Sequence, residues 1–290
     1  MPTRPVRAGA ALALLLLVSA CASPAGGGPS PEPAPAAADA TVVLQVTEQG
    51  GYTTPALLTG RIPTVTVYAD GRLITDGPVV AIWPAPALPN LQLYLLDDGG
   101  VRDLVDRALA AGVAETDDLG RPPVTDVTTT RFVVRTGGTT VTREAYALGM
   151  DLGPAPAGEA GLTEEQAAAR DRLLTFLDEL RDPAAALGAE RVTGPEPYRP
   201  EAVAALVSPY VEVEPAQPEQ RWPGPELPGE PIAPGVTCAT ATGAEAQALL
   251  EAAESASAAT PWTSADGSRW TVLLRPLLPH ESGCADLPPA

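Results

Sequence analysis

The sequence predicts an α+β fold: an antiparallel sheet built from hairpins, with helices packed on one face. Three observations carry this. An Asp70-Gly71 turn lies between alternating residues over 65–74, a Gly137-Gly138 turn lies between two more such runs, and each hairpin is followed by a segment with helical apolar spacing. Hairpins between helices, rather than single strands, favour antiparallel pairing over a parallel sheet.

Taken in order, TVVLQVT (41–47) is a strand of β-branched residues. VTVYADGRLI (65–74) follows as a hairpin with a two-residue turn, which places Val67 opposite Ile74 and Tyr68 opposite Leu73. GVRDLVDRALAA (100–111) sets Val101, Leu104, Val105 and Ala108 on one helical stripe, with Asp97 and Asp98 at its positive end and Gly112 at C′. TRFVVRTGGTTVTREAYAL gives the second hairpin, with Phe132, Val134, Val141 and Ala145 inward. Thr163 to Gln166 forms a capping box, and Leu173, Leu174, Leu177 and Leu180 line a helix that stops at Asp182-Pro183.

From Pro183 to Gly235 there are 12 prolines in 53 residues, which reads as a meander or linker broken only by a short helix at Pro200–Val207. Beyond it, Thr242 to Glu245 spells another capping box before a helix with Leu249, Leu250 and Ala253 inward, and Arg269–Leu274 reads as a strand. The 55 residues of 236–290 are few for an independent core, so this segment is expected to dock on the first domain.

Of the 290 residues, 45% are hydrophobic, enough for a substantial core. The 18 basic residues are all arginine, a bias that fits a high-GC genome. Against them stand 36 acids, a formal charge of −18. Such a surface gains nothing from nucleic acid or anionic lipid, so nucleic-acid binding is excluded as a role.

Arg4 and Arg7 precede a 13-residue apolar run, Ala8–Ala20, too short to span a bilayer and of the length of a signal h-region. Val18-Ser19-Ala20-Cys21 then resembles the bacterial lipoprotein signal: an aliphatic residue, two small residues and a cysteine. The resemblance implies cleavage before Cys21, lipidation of that cysteine and a body held by the membrane on the outer face of the cytoplasmic membrane. Ala20-Cys21-Ala22 also fits ordinary secretion, with cleavage after Ala22. The next 19 residues, Ala22 to Ala40, carry almost no large apolar side chain and read as a tether of about 25 Å as a coil or about 60 Å as polyproline II.

With Cys21 lipidated, Cys238 and Cys284 remain as a pair in an oxidising compartment, which predicts a disulfide closing a loop of about 47 residues. The expected organisation is a signal peptide (1–20), a lipidated cysteine and tether (21–40), an α+β domain (41–182), a Pro-rich linker (183–235) and a disulfide-stapled C-terminal α/β segment (236–290). TVYADGRLI, LTEEQAAAR, TPWT and RPLLPHESGC are similar to stretches of uncharacterised secreted proteins and lipoproteins of actinobacteria, a resemblance that implies no activity.

Chemistry is harder to find. His280 is the one histidine, so a His-based metal cage is out of reach, and a mixed His280, Glu281, Cys284 site conflicts with the disulfide. His280 with Ser268 or Ser282 and Asp266 satisfies a triad by residue type, but no G-x-S-x-G elbow accompanies it. DDGGVRDLVD clusters acids without the order of a calcium loop, and no phosphate or dinucleotide loop occurs. Trp83, Trp222, Trp262 and Trp270 read as core or loop anchors, or else as stacking platforms for sugars or peptides. The expectation is a non-catalytic protein without cofactor, binding an envelope protein, peptide or glycan. The alternative is a cell-wall hydrolase working through a carboxylate pair.

Overall fold

The computed structural model describes residues 40–150 and 161–290. In chain order the first part runs β1 (Val42–Gly50), α1 (Pro55–Thr59), β2 (Val65–Tyr68), β3 (Arg72–Asp76), β4 (Leu91–Leu96), α2 (Asp98–Ala110), β5 (Thr128–Thr136), β6 (Thr139–Tyr146), α3 (Glu164–Arg181), α4 (Pro183–Leu187) and β7 (Val192–Pro197). The seven strands form one sheet in the order β6-β5-β1-β2-β3-β4-β7, antiparallel throughout. The α+β reading therefore holds.

One face of this sheet is apolar by alternation. Leu44, Val46, Val67, Leu73, Phe132 and Val134 point to the same side and pack under Leu104 and Ala108 of α2 and Leu173, Phe176 and Leu180 of α3. α2 starts at Asp97, whose carboxylate accepts from the Gly100 N–H at 2.5 Å, and it ends before Gly112 at φ +95°, where Val113 N–H closes on Ala108 O. At α3 the expected capping box is present with both of its reciprocal bonds. The second hairpin turns at Gly137-Gly138, with Thr136 opposite Thr139.

The first hairpin differs from expectation by one residue. Val67 faces Leu73, not Ile74, because the loop has three residues: Gly71 N–H donates to Tyr68 O and Gly71 takes φ +92°. A Cβ at Gly71 would lie 2.4 Å from Leu96 O, so glycine suits both the turn and the close approach of the neighbouring strand. The shift decides which side chains share a face. Val67 and Leu73 go to the helices, while Tyr68 and Ile74 go to the back of the sheet, where Val42, Leu91 and Leu278 join them.

The second part runs β8 (Ala202–Pro209), β9 (Gln220–Arg221), β10 (Glu230–Ala233), β11 (Val236–Thr242), α5 (Gly243–Ala253), β12 (Trp262–Thr263) and β13 (Arg269–Pro276). It forms a six-stranded sheet ordered β10-β11-β8-β13-β12-β9, antiparallel except where β9 meets β12. The helix expected at Pro200–Val207 is instead strand β8, paired on both edges. Its alanines and valines are buried on both faces: Val203, Ala205 and Val207 lie under α5, and Ala204 and Leu206 lie beside Cys238 and Leu277. A strand covered on both sides loses the alternation that marks a half-buried one.

The Pro-rich stretch 183–235 supplies α4 and β7 to β10, so it is built into both sheets rather than linking two bodies. Its prolines fit because they fall where no ladder N–H is needed. Pro195 and Pro197 lie on edge strand β7, Pro231 lies on edge strand β10, and Pro209 ends β8. Both sheets belong to one compact unit. The capping box expected at Thr242 does not form: Thr242 precedes α5 without a side-chain cap. The Cys238–Cys284 disulfide is present and ties β11 to the C-terminal turn, where Cys238 packs with Leu206, Leu277 and Leu287.

Candidate functional site

Between the back of the first sheet and the C-terminal turn lies a cleft of about 540 Å³. Its floor follows from strand alternation: Gln45 and Thr47 of β1 and Arg131 of β5 point away from the core that Leu44, Val46 and Phe132 face. Leu58 of α1 with Arg61 and Ile62 just after it make one wall; Arg275, His280, Glu281 and Asp286 make the other.

The second wall is a folded polar knot. The side chains of Arg275 and Glu281 are 1% and 6% exposed and form a two-pronged pair: Arg275 Nη1 donates to Glu281 Oε2, and Nη2 donates to Oε1 at 2.8 Å. Leu278 N–H also donates to Glu281 at 2.7 Å, so this carboxylate is held from three directions. Next to it, Tyr68 Oη lies 2.8 Å from His280 Nδ1. Burial pushes the Tyr68 hydroxyl far above its ordinary range, so it stays a neutral phenol that donates to a bare Nδ1 or accepts from an Nδ1–H, as the imidazole tautomer decides. Removal of the His280 ring from water holds its own pKa below the usual value although one edge of the residue stays exposed; Glu281 opposes that shift, and Arg275 and Arg135 add to it.

Other charged groups of the cleft are also engaged. Arg61 donates from Nη1 to the carbonyls of Glu48 and Gly50, both at 3.0 Å, and Arg131 meets Glu144 at 3.3 Å. Glu48 accepts from Thr130 at 2.8 Å. Asp286 takes two bonds from Ser282, at 2.7 Å each, and these hold its pKa below the usual carboxylate range. Two buried polar atoms on lining residues have no hydrogen-bond partner among the described residues: Thr47 Oγ1 and Arg275 Nε. Both atoms are shielded from solvent, so they lie beneath the surface of the cleft rather than facing into it.

The triad by residue type is not assembled. His280 Nδ1 is bound to Tyr68, while Asp266 bonds Ser264 and Ser268 within the turn that joins β12 to β13. The Ser282 hydroxyl is turned to Asp286. Cys284 is in the disulfide and Glu281 is on Arg275, so a mixed site with His280 is not formed, and no metal-type cluster of three or more such residues occurs among the described residues. In DDGGVRDLVD, Arg191 bridges Asp97 and Asp103 at 3.2 and 2.6 Å, a cation already supplied by the protein.

Of the tryptophans, Trp222 and Trp262 are buried edge to face, and Trp270 is half-buried with its N–H on Ser264. Trp83 is 72% exposed. Cys21 lies outside the described residues. None of the described helices is long and apolar enough to cross a membrane. Sequence reasoning missed Tyr68, Arg61 and Arg275 as site residues. Arg275 left one sign, a lone charge inside the apolar run TVLLRPLLP with an acid six residues on. No family model, curated protein or solved structure matches the chain.

Proposed function

We propose that this chain is an exported lipoprotein of the bacterial cell envelope, anchored at Cys21 on the outer face of the cytoplasmic membrane. It acts without catalysis, offering the cleft beside His280 to a peptide or glycan. The observation that carries the reading is Val18-Ser19-Ala20-Cys21, set directly after a 13-residue apolar segment and before a Pro/Ala/Gly tract. The disulfide supports export, because such bonds persist where thiols are not kept reduced. The cleft of about 540 Å³, lined by Gln45, Thr47, Arg61, Arg131 and His280, supports ligand binding, since it offers polar side chains to a peptide or glycan.

Intact mass of the protein taken from native membranes tests the anchor. Acyl chains on an N-terminal Cys21 and release of Cys21→Ser into the soluble fraction are expected; a mature chain beginning at Ser23 overturns it. For the cleft, titration with cell-wall peptide and glycan fragments is expected to perturb the amide resonances of Gln45, Thr47 and Arg131, and silence there overturns the binding role.

The hydrolase alternative has Glu48, Glu281 and Asp286 in the same cleft. Glu281, however, has both oxygens committed to Arg275 and a backbone N–H, an arrangement that fixes a side chain in place. Release of reducing ends from cell-wall glycan that is abolished by Glu48→Gln restores that alternative.

A further inference from the structure

Residues 77–96, GPVVAIWPAPALPNLQLYLL, contain no charge in a chain that carries 54 charged side chains, 36 of them acidic. The first fourteen of them form the loop from β3 to β4, and its two halves behave differently. The second half is built into the body: Ala87 N–H donates to Ala256 O, Ala258 N–H donates to Ala85 O, and Ala87 is buried among the residues under α5. The loop's ends are closed by Gly77 N–H on Asn90 O at 2.7 Å and by Asn90 Nδ2 on Pro78 O at 2.9 Å. The first half projects, leaving Val79, Val80, Ile82 and Trp83 60 to 77% exposed.

Four large apolar side chains held out in water on a pinned, proline-rich loop are a contact surface rather than an accident of packing. Scattered single apolar residues need no such account; a contiguous set does. Anchoring at both ends means that little chain entropy remains to be lost when the tip is buried. Trp83 at its edge suits a boundary between oil and water, with an apolar ring and one N–H that stays wet.

We infer that the Val79–Trp83 tip dips into the outer leaflet of the bilayer that holds the anchor, an inference that rests on the lipoprotein reading of Cys21. The connecting stretch from Ala22 to Asp39 has 18 residues, about 25 Å as a coil, close to the radius of gyration of about 18 Å expected for a body of this size. Faces within that reach of the tether's end therefore pass the membrane at about millimolar effective concentration, where a contact weak in a free protein becomes occupied. Charge selects the face: an acidic surface has no affinity for lipid headgroups, and the uncharged tip approaches hydrocarbon without desolvating a carboxylate. Inserted at the tip and tied at Cys21, the body is held in one orientation.

The test uses the membrane-purified chain in phosphatidylcholine vesicles containing brominated lipid, with Trp83→Phe as the control that removes only the exposed indole. Quenching and a blue shift of the Trp83 contribution are expected, insensitive to salt. In parallel, the unacylated Cys21→Ser chain, released from cell membranes, is expected to bind the same vesicles weakly and only at high lipid concentration, and Val79→Ser/Ile82→Ser/Trp83→Ser to reduce that partitioning about a hundredfold. If the anchored chain shows an unquenched Trp83, the tip does not enter lipid and the inference fails while the anchor stands. If Cys21 carries no lipid, the anchor reading fails, and the Cys21→Ser partitioning still decides for or against the tip. Tip-dependent dimers in solution without vesicle binding also overturn it, assigning the patch to a second copy.

Discussion

Tyr68 Oη and His280 Nδ1 meet at 2.8 Å across 212 residues of sequence, joining the first hairpin to the C-terminal turn. The two groups are neutral partners, a phenol and an imidazole, each able to donate or accept. His280 is held below its ordinary pKa by removal from water. The unfolded chain therefore takes up a proton on His280 at a higher pH than the folded chain does. Stability from this group is fully present above about pH 6.5 and is lost as pH falls from there through the lowered folded value. The urea midpoint is expected to decline on that acid limb, and His280→Gln to flatten the part of the decline due to this residue. A decline unchanged in His280→Gln refutes the coupling. Tyr68→Phe is expected to cost about 1 kcal/mol at pH 8, read from the same urea midpoints.

The Cys238–Cys284 bridge closes a separation of 46 residues, for which the chain-entropy model gives about 4 kcal/mol and strained or structured reference states give less. Replacing both cysteines by serine is expected to lower unfolding free energy by about 2 to 4 kcal/mol. Reductant should lower the Tm of the parent and leave the double variant unmoved; calorimetry with and without it checks this.

Arg275 and Glu281 are buried together, so their separate loss is not symmetric with their joint loss. Glu281→Gln leaves the guanidinium without its counter-charge and is expected to cost about 3 to 5 kcal/mol. Arg275→Met/Glu281→Met is expected to recover most of it, because two apolar side chains need no partner there. Chemical denaturation of the three proteins decides; equal losses in the single and double variants argue against a desolvated pair.

At the start of α2, Asp97 both caps Gly100 N–H and pairs with Arg191. Asp97→Ala is expected to cost about 1 kcal/mol and Asp97→Asn only a few tenths, since the amide keeps the cap and the ion pair is exposed to solvent. Thermal unfolding monitored by far-UV circular dichroism checks the order.

What could be read in advance followed local chemistry. The Gly137-Gly138 turn, the capping box at Thr163 and the stripe on α2 are decided by neighbours within a few residues, and they formed as expected. β8 is decided from elsewhere: its alanines and valines carry little strand signal alone, and β11 and β13 on its two edges make it a strand. β7 was missed for a related reason, VTGPEP holding two prolines that only an edge strand accommodates, whereas β4 did carry a signal, Leu91, Leu93 and Leu95 alternating with Gln92 and Tyr94. The cleft was not legible at all. It forms where Gln45 and Thr47 of the first strand approach Arg275 of β13 and His280 of the last turn, and no spacing rule links positions so far apart.

Leu278 lies against Val42, Tyr68, Ile74 and Leu91, four apolar side chains contributed by the first hundred residues. A polypeptide made from its N-terminus therefore carries a greasy, uncovered patch on its earliest strands until some 200 residues more have been added. At ordinary ribosome speeds that is roughly ten to forty seconds of synthesis. Late sealing makes a holdase on the nascent strands useful until the C-terminal turn arrives, and it is compatible with the proposed export.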